Sequence, residues 1–463
     1  MQFKDMKVID TALVATRPRQ RCLSIFALPA LLVLSACGGG GGSGDSPFDP
    51  DSSASCEVDY QNQWVYDNMR DYYLFYDQVP VVNPQSYDST QDLLSSIRFE
   101  ERDPFSHLAD ATASDLLFQE GREFGLGYRW GYDEDDNARI LQVVEASPFG
   151  LAGIERGDII VSVNGLDWQS DELSELFQED VVGTPETPTQ SNWRIVKRES
   201  GAQVDIPIST AEYAINSVEA VAEFTNPDSG SKTGYFVFNR FLNTSEQELR
   251  DTFQQFGQSG VSDLIVDLRY NSGGRVFIAE VLASLIAGNA RAGGLLYRYE
   301  YNDKYQNENY DLLLEENDES LDLSRVIFIT RSSTASSSEI VTLGLSPHME
   351  VVTVGSTTSG KPYIQRGRVR CGEQLNAIEA EGFNAAGVSV FGGMPASCQV
   401  ADDRLHDFGL NDDGEFEGML KAGIDYLAEG SCATTIAAKS AGIVDQADET
   451  ELQGFELFAG SLR

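Results

Sequence analysis

Histidine is scarce in this sequence and positive charge is heavily outnumbered. His107, His348 and His406 are the whole supply for any imidazole chemistry, and nothing in the spacing brings one of them to a candidate serine. Lys and Arg number 33 against 73 Asp and Glu, for a net charge of −40. Such a field repels phosphate backbones and anionic lipid surfaces, which excludes a nucleic-acid-binding role. No cysteine pair has the close CxxC spacing of a zinc site. The acidic turns Asp133-Glu134-Asp135-Asp136 and Asn411-Asp412-Asp413-Gly414 lack the twelve-residue EF-hand pattern, so no metal site and no cofactor is expected. Long apolar runs are also missing. One stretch, Cys22 through Ala36, is strongly apolar, and it is too short to span a bilayer comfortably as a permanent helix. The remainder is expected to be soluble, and no fixed-period repeat runs through it.

That short run has the form of an export signal, preceded by Arg17, Arg19 and Arg21. It ends in Leu34-Ser35-Ala36-Cys37, which resembles the lipobox of bacterial lipoproteins. The resemblance implies removal of residues 1–36 and a lipid on Cys37. The Gly/Ser-rich stretch 37–55 would be a flexible tether, with an average reach of roughly 20–25 Å. The expected location is the bacterial cell envelope, facing the periplasm or the cell surface. Gly38, standing where an aspartate commonly signals inner-membrane retention, favours the outer membrane. Cys56, Cys371, Cys398 and Cys432 remain, and in an exported protein they suggest up to two disulfides with three possible connectivities. Cys371–Cys398 is favoured by proximity in sequence.

Residues 56–115 read as a small helical module, with Trp64, Met69, Tyr72, Tyr73 and Phe75 at roughly helical spacing. From 116 to 210 short β-rich stretches alternate with turns. Ile140-Leu141-Gln142-Val143-Val144 and Asp158 through Val163 are strand candidates, and Asn164-Gly165 is a hairpin-type turn. From about 211 to 430 strands alternate with helices, which predicts an α/β core. The strands are Tyr235 through Phe238, Leu264 through Leu268, Val326 through Thr330 and Met349 through Val354. The helices are a segment opened by an apparent capping box at Ser245-Glu246-Gln247-Glu248 and running to about Phe256, Val276 through Ile286, and one beginning near Ser336. Residues 431–463 form a tail.

Three segments could carry chemistry. In Thr334-Ala335-Ser336-Ser337-Ser338-Glu339 a buried strand turns into a helix, and Ser336-x-x-Glu339 has the capping-box pattern. This puts the Ser336 side chain beside unpaired backbone N–H groups and the positive end of the helix dipole, where an oxyanion is stabilised. In Asp267-Leu268-Arg269-Tyr270-Asn271-Ser272-Gly273-Gly274 paired glycines after a strand let backbone N–H groups approach a ligand closely. Gly360-Lys361, with Gln365 four residues on, offers an amine that burial could render neutral and a side chain that could hold it without adding charge.

Together these segments resemble the C-terminal processing, or tail-specific, serine proteases. The 25 residues from Ser336 to Lys361 and the four from Lys361 to Gln365 fit that family's spacing. The resemblance implies Ser336 as nucleophile, Lys361 as general base and Gln365 as its orienter. The oxyanion hole would come from Ser337 N–H and a glycine N–H at Gly273 or Gly274. Where that family has alanine after the nucleophile, this chain has Ser337. Gly125-Leu126-Gly127-Tyr128, Ser147-Pro148 and the stretch from Arg156-Gly157-Asp158 to Asn164-Gly165 resemble a PDZ domain, whose glycine loop captures a chain-terminal carboxylate while the peptide adds as a strand. The implied fold is an α/β crotonase-like core, a ββα spiral, with an inserted or preceding PDZ domain and a small N-terminal helical module. The implied function is a secreted, lipid-anchored serine endopeptidase acting on proteins with accessible C-termini. The rival is a catalytically inactive PDZ lipoprotein that binds protein tails.

Overall fold

The computed structural model describes residues 7–8, 56–226, 229–404, 406–409 and 415–432. Cys37, the tether, the tail beyond 432, the acidic turn 411–414 and the leader apart from Lys7–Val8 lie outside them.

The central sheet is built where the sequence runs most continuously apolar. Asp263–Asp267, Arg325–Thr330 and Glu350–Gly355 lie parallel, flanked by parallel Lys232–Phe238 and Cys398–Gln399. Val218–Thr225 adds antiparallel at one edge, and Lys7–Val8 pairs with it. Alternate residues of each strand face opposite layers. Phe236, Phe238, Leu264, Val266, Val326 and Phe328 pack under the helices Ser245–Ser259, Val276–Ala287 and Ser337–Leu345. Tyr235, Val237, Ile265, Ile327 and Val354 face the helix Gly418–Glu429.

Two smaller sheets stand beside this core. One is antiparallel, in the order Tyr310–Leu313, Leu295–Tyr301, Ile378–Asn384, Tyr363–Gln365. The other joins Arg368–Arg370, Glu373–Asn376 and His107–Asp110. The predicted N-terminal module is thus helical only in part. Val58–Asp71 and Thr90–Ile97 are helices, but His107–Asp110 is a strand paired with Glu373–Asn376 before the helix Ala111–Glu120 begins. Nor does the module close a core of its own: Val65, Met69, Tyr73 and Leu94 pack on Tyr363, Leu375 and Ile378 from the far end of the chain.

Residues 128–209 form a separate sheet, ordered Tyr128–Tyr132, Ala138–Val143, Ile159–Val163, Gln190–Val196, Gln203–Ser209, around Trp193 and Phe149. Asn164 and Gly165 take φ of 52° and 85° in the predicted hairpin turn. Tyr128–Tyr132 is the edge strand of this sheet, and the Tyr132 carbonyl at its end accepts from the Arg404 guanidinium.

Two expectations are corrected. The cysteines pair as Cys56–Cys371 and Cys398–Cys432, not as Cys371–Cys398. Nearness in sequence misled because Cys371 sits on the turn that brings Glu373–Asn376 to the N-terminal segment. The Ser245-x-x-Glu248 capping box does not form: Ser245 Oγ accepts the Leu242 N–H, and the Glu248 carboxylate takes the Val218 N–H. Cys56–Cys371 closes a separation of 315 residues. Replacing both cysteines by serine is expected to cost about 2–4 kcal/mol, read as a lower midpoint in denaturant.

Candidate active site

Ser336 ends the turn after Arg325–Thr330 and precedes the helix Ser337–Leu345. Its backbone takes φ 54° and ψ −116°, a region non-glycine residues rarely occupy and one that persists only where surroundings impose it. Two neighbours impose it here. Gly273, at φ 99°, lies so close that a Cβ there would come within 2.8 Å of Ser336 Cβ and 2.9 Å of Ser337 N. Glu339 accepts the Ser336 N–H at 3.0 Å. Of the three consecutive serines, Ser337 and Ser338 are buried, with hydroxyls donated to Gly274 O and Asn271 O at 2.9 Å each. Ser336 keeps accessible surface.

Glu339 does more than the helix-start pattern suggests. Its carboxylate, fully buried, receives the Ser336 N–H and the Lys361 N–H (2.9 Å) on one oxygen. The Thr358 hydroxyl (2.5 Å) and the Gly360 N–H (2.8 Å) reach the other. One side chain therefore fixes the backbones of both Ser336 and Lys361. Burial raises its pKa, against the hydrogen bonds from Thr358, Lys361, Gly360 and Ser336, which lower it.

Lys361 is half-buried, and its Nζ donates to Gln365 Oε1 at 2.6 Å. Gln365 is itself pinned, giving its Nε2 protons to Phe105 O at 2.8 Å and Asn376 O at 2.7 Å. Burial lowers the lysine pKa from 10.5 to about 8, although Asp103 and Glu339 pull it back up. The amine thus meets no carboxylate directly, only a neutral amide.

The glycine loop is arranged for anion binding with one refinement. Gly273 N–H is already given to Asn271 Oδ1 at 2.9 Å. Among the described residues no acceptor takes the N–H groups of Gly274 or Ser337, which leaves these two as donors. Gly274 admits no side chain, since a Cβ would fall 2.2 Å from Phe241 O.

His107 lies closer to this site than its sequence position suggests. Its Nδ1 sits 2.9 Å from Phe105 O, the same carbonyl that Gln365 uses. The ring keeps an exposed edge, yet the protein packed around it lowers its pKa. The Phe105 carbonyl acts the other way, the Lys361 charge lowers it again, and Asp103 raises it. His348 and His406 are engaged elsewhere, with Leu295 O and Asp403. No cluster of three or more His, Cys, Asp or Glu side chains fit to hold a metal occurs among the described residues.

Gly125, Leu126, Gly127 and Tyr128 stand at the entry to the edge strand and are all buried. Gly127 O accepts the Val144 N–H and Leu126 O the Phe149 N–H. A Cβ on Gly127 would collide with Ser147, 2.0 Å away, so the loop can close only with glycine there.

Residues 232–378, which carry the glycine loop, Ser336, Lys361 and Gln365, match the model of peptidase family S41. Residues 60–107 match the S41 N-terminal domain, and 139–180 match a PDZ domain. The chain carries an S41 peptidase domain together with the S41 N-terminal domain and a PDZ domain. Among curated relatives, a CtpA-like serine protease of Staphylococcus aureus (strain COL) is 26% identical over 235 residues, 51% of this chain and 44% of the relative. One of Staphylococcus haemolyticus is 22% identical over 341 residues, 71% of this chain and 65% of the relative. In both cases the match spans less than two thirds of the relative's length. A crystal structure assigned to the S41 proteases, from Bacteroides fragilis, aligns with a TM-score of 0.58 at 22% identity. It covers 85% of this chain and 97% of that one, so the S41 fold is shared across most of the chain.

Proposed function

We propose that this S41 protein is a serine endopeptidase that works through a Ser336–Lys361 dyad oriented by Gln365. The observation that carries the reading is the Glu339 carboxylate, whose single oxygen holds the Ser336 and Lys361 backbones while the lysine amine rests on Gln365. Neutral Lys361 takes the Ser336 proton as the oxygen attacks the scissile carbonyl. The N–H groups of Ser337 and Gly274 receive the developing oxyanion, each donor contributing roughly 3 kcal/mol to the transition state. Lys361 then returns the proton to the leaving amine, and water releases the acyl group.

The parallel sheet with helices on both faces supports a crotonase-like ββα core at 211–430. The edge strand that follows Gly125-Leu126-Gly127-Tyr128 supports a PDZ domain at 116–210 that takes protein C-termini and delivers them to Ser336. The Leu34-Ser35-Ala36-Cys37 sequence supports a diacylglyceryl anchor on Cys37, a tether to 55, and placement in the bacterial envelope with the enzyme facing periplasm or cell surface. The test compares the parent with Ser336→Ala and Ser337→Ala on an unfolded protein substrate. The parent and Ser337→Ala are expected to cleave, and Ser336→Ala to leave the substrate intact. A parent that binds C-terminal peptides but cleaves nothing would instead identify an inactive tail-binding lipoprotein.

A further inference from the structure

Arg275 follows the two glycines of the loop directly, and its position is fixed by its own N–H, which donates to Phe241 O at 2.8 Å. Its guanidinium does not return to the protein for an anion. The carbon at its centre lies 5.3 Å from the Phe118 ring centroid, and its Nε is buried without a hydrogen-bond partner. No carboxylate among the described residues pairs with it, in a chain with 73 acidic residues against 33 basic ones. Other arginines of the core are matched closely, as Arg269 is with Asp267 and Glu417, and Arg325 with Asp263. A planar guanidinium without an ion-pair partner suits a carboxylate better than any neutral group.

Its placement selects the ligand. Gly273, two residues before it, touches Ser336. Phe118, on which it stacks, lies on Ala111–Glu120, the helix that runs into Arg122–Gly125 and the Gly125–Tyr128 loop. Phe118 O in turn accepts the Asn243 N–H at 3.1 Å, which ties this helix to the core. Arg275 therefore lies between the loop that touches Ser336 and the helix that leads into the Gly125–Tyr128 loop, where a peptide that engages both would pass it. We propose that Arg275 is a specificity residue that receives a carboxylate of the bound peptide near the scissile bond, from an acidic side chain or from the peptide's own C-terminus. This rests on Ser336 and the glycine loop being the reacting centre.

The test measures binding to the full chain carrying Ser336→Ala, by fluorescence anisotropy. Three peptides of one sequence are used: an amidated peptide with Glu flanking the cleavage position, its Gln counterpart, and the Gln peptide with a free C-terminus. At least one carboxylate-bearing peptide is expected to bind roughly tenfold tighter than the amidated Gln peptide, the scale of a hydrogen bond to a charged group. Adding Arg275→Gln is expected to close that gap, and Arg275→Lys to keep part of it. Whichever peptide loses its advantage identifies the source of the carboxylate. Preference for a free C-terminus that survives Arg275→Gln belongs to the PDZ loop and, with no Arg275-dependent gap for either peptide, overturns the proposal. Melting temperatures of the variants separate lost recognition from lost folding. Cleavage by the chain with Ser336 intact separates the two readings. Arg275-dependent binding without cleavage leaves a carboxylate-binding arginine but sinks the protease and with it the specificity role, whereas cleavage without Arg275 dependence sinks this inference alone.

Discussion

Lys361→Met is expected to lower kcat/KM by about 10²–10⁴-fold, the usual contribution of a general base, while leaving the protein folded. With the parent enzyme, kcat/KM should rise roughly tenfold per pH unit and level off once the amine is neutral. That levelling belongs near the lowered value of about 8. The same substitution should stabilise the fold at neutral pH, because the lysine holds its proton less readily folded than unfolded. Between about 8 and its ordinary 10.5 the unfolded chain therefore binds more protons, and stability contributed by this group rises with pH across that window. Below about 8 its cost to the folded state is present in full. Methionine removes the cost, so the variant should melt above the parent at pH 7, with the gap narrowing from pH 8 upward. A variant that keeps its rate, combined with a His107→Ala enzyme that loses it, would move the base to the imidazole beside Phe105 O.

Much of this centre was legible because its signals are local. Leu264 through Leu268 and Val326 through Thr330 are buried on both faces and read as continuous apolar runs. Ser336-x-x-Glu339 announces a helix start, whereas Lys361 and Gln365 stood out only through the family resemblance. What escaped is what depends on pairing at a distance. Leu295–Tyr301 does alternate, with Tyr297, Tyr299 and Tyr301 inward and Arg298 and Glu300 outward, so period-two counting could have found that strand. His107–Asp110 is four residues long and carries no such signal. Glu339 was visible as a helix-start residue, but its hold on Lys361 appears only once the loop from Thr358 folds over it. At Glu248 the same pattern was misleading, because Val218 N–H outcompeted the helix for its carboxylate.

The least legible feature carries the other large effect. Among the described residues, Arg156 of the PDZ domain, Arg269 and Arg331 of the core, and Asp267, Asp402 and Glu417 form one buried group with three positive and three negative charges. Asp402 is its hub. It takes Arg156 and Arg269 at 2.8 Å each, Arg331 at 3.0 Å, and the Tyr270 hydroxyl. Burial alone would raise its pKa; Arg156, Arg331, Arg269 and the Tyr270 hydrogen bond outweigh that and hold it well below the ordinary carboxylate range. Its contribution to stability is thus present throughout neutral pH, and would fade only as pH falls through that depressed value. Asp402→Asn leaves three buried guanidiniums facing two carboxylates, and removing one partner of such a group costs about 3–5 kcal/mol. A lower midpoint in denaturant is the expected reading. The cost should fall on activity as well, since Arg269 and Tyr270 belong to the strand end that leads to Gly273 and Gly274. Adding Arg156→Met to Asp402→Asn restores a balance of two charges of each sign. The double variant should then recover part of the stability lost by the single one, although it has two fewer charges to pair. Recovery would mean that the PDZ domain and the Gly273-Gly274 loop are joined by charge balance at Asp402. Additive losses would mean that Arg156 and Asp402 act independently, and the coupling between the domains would have to lie elsewhere.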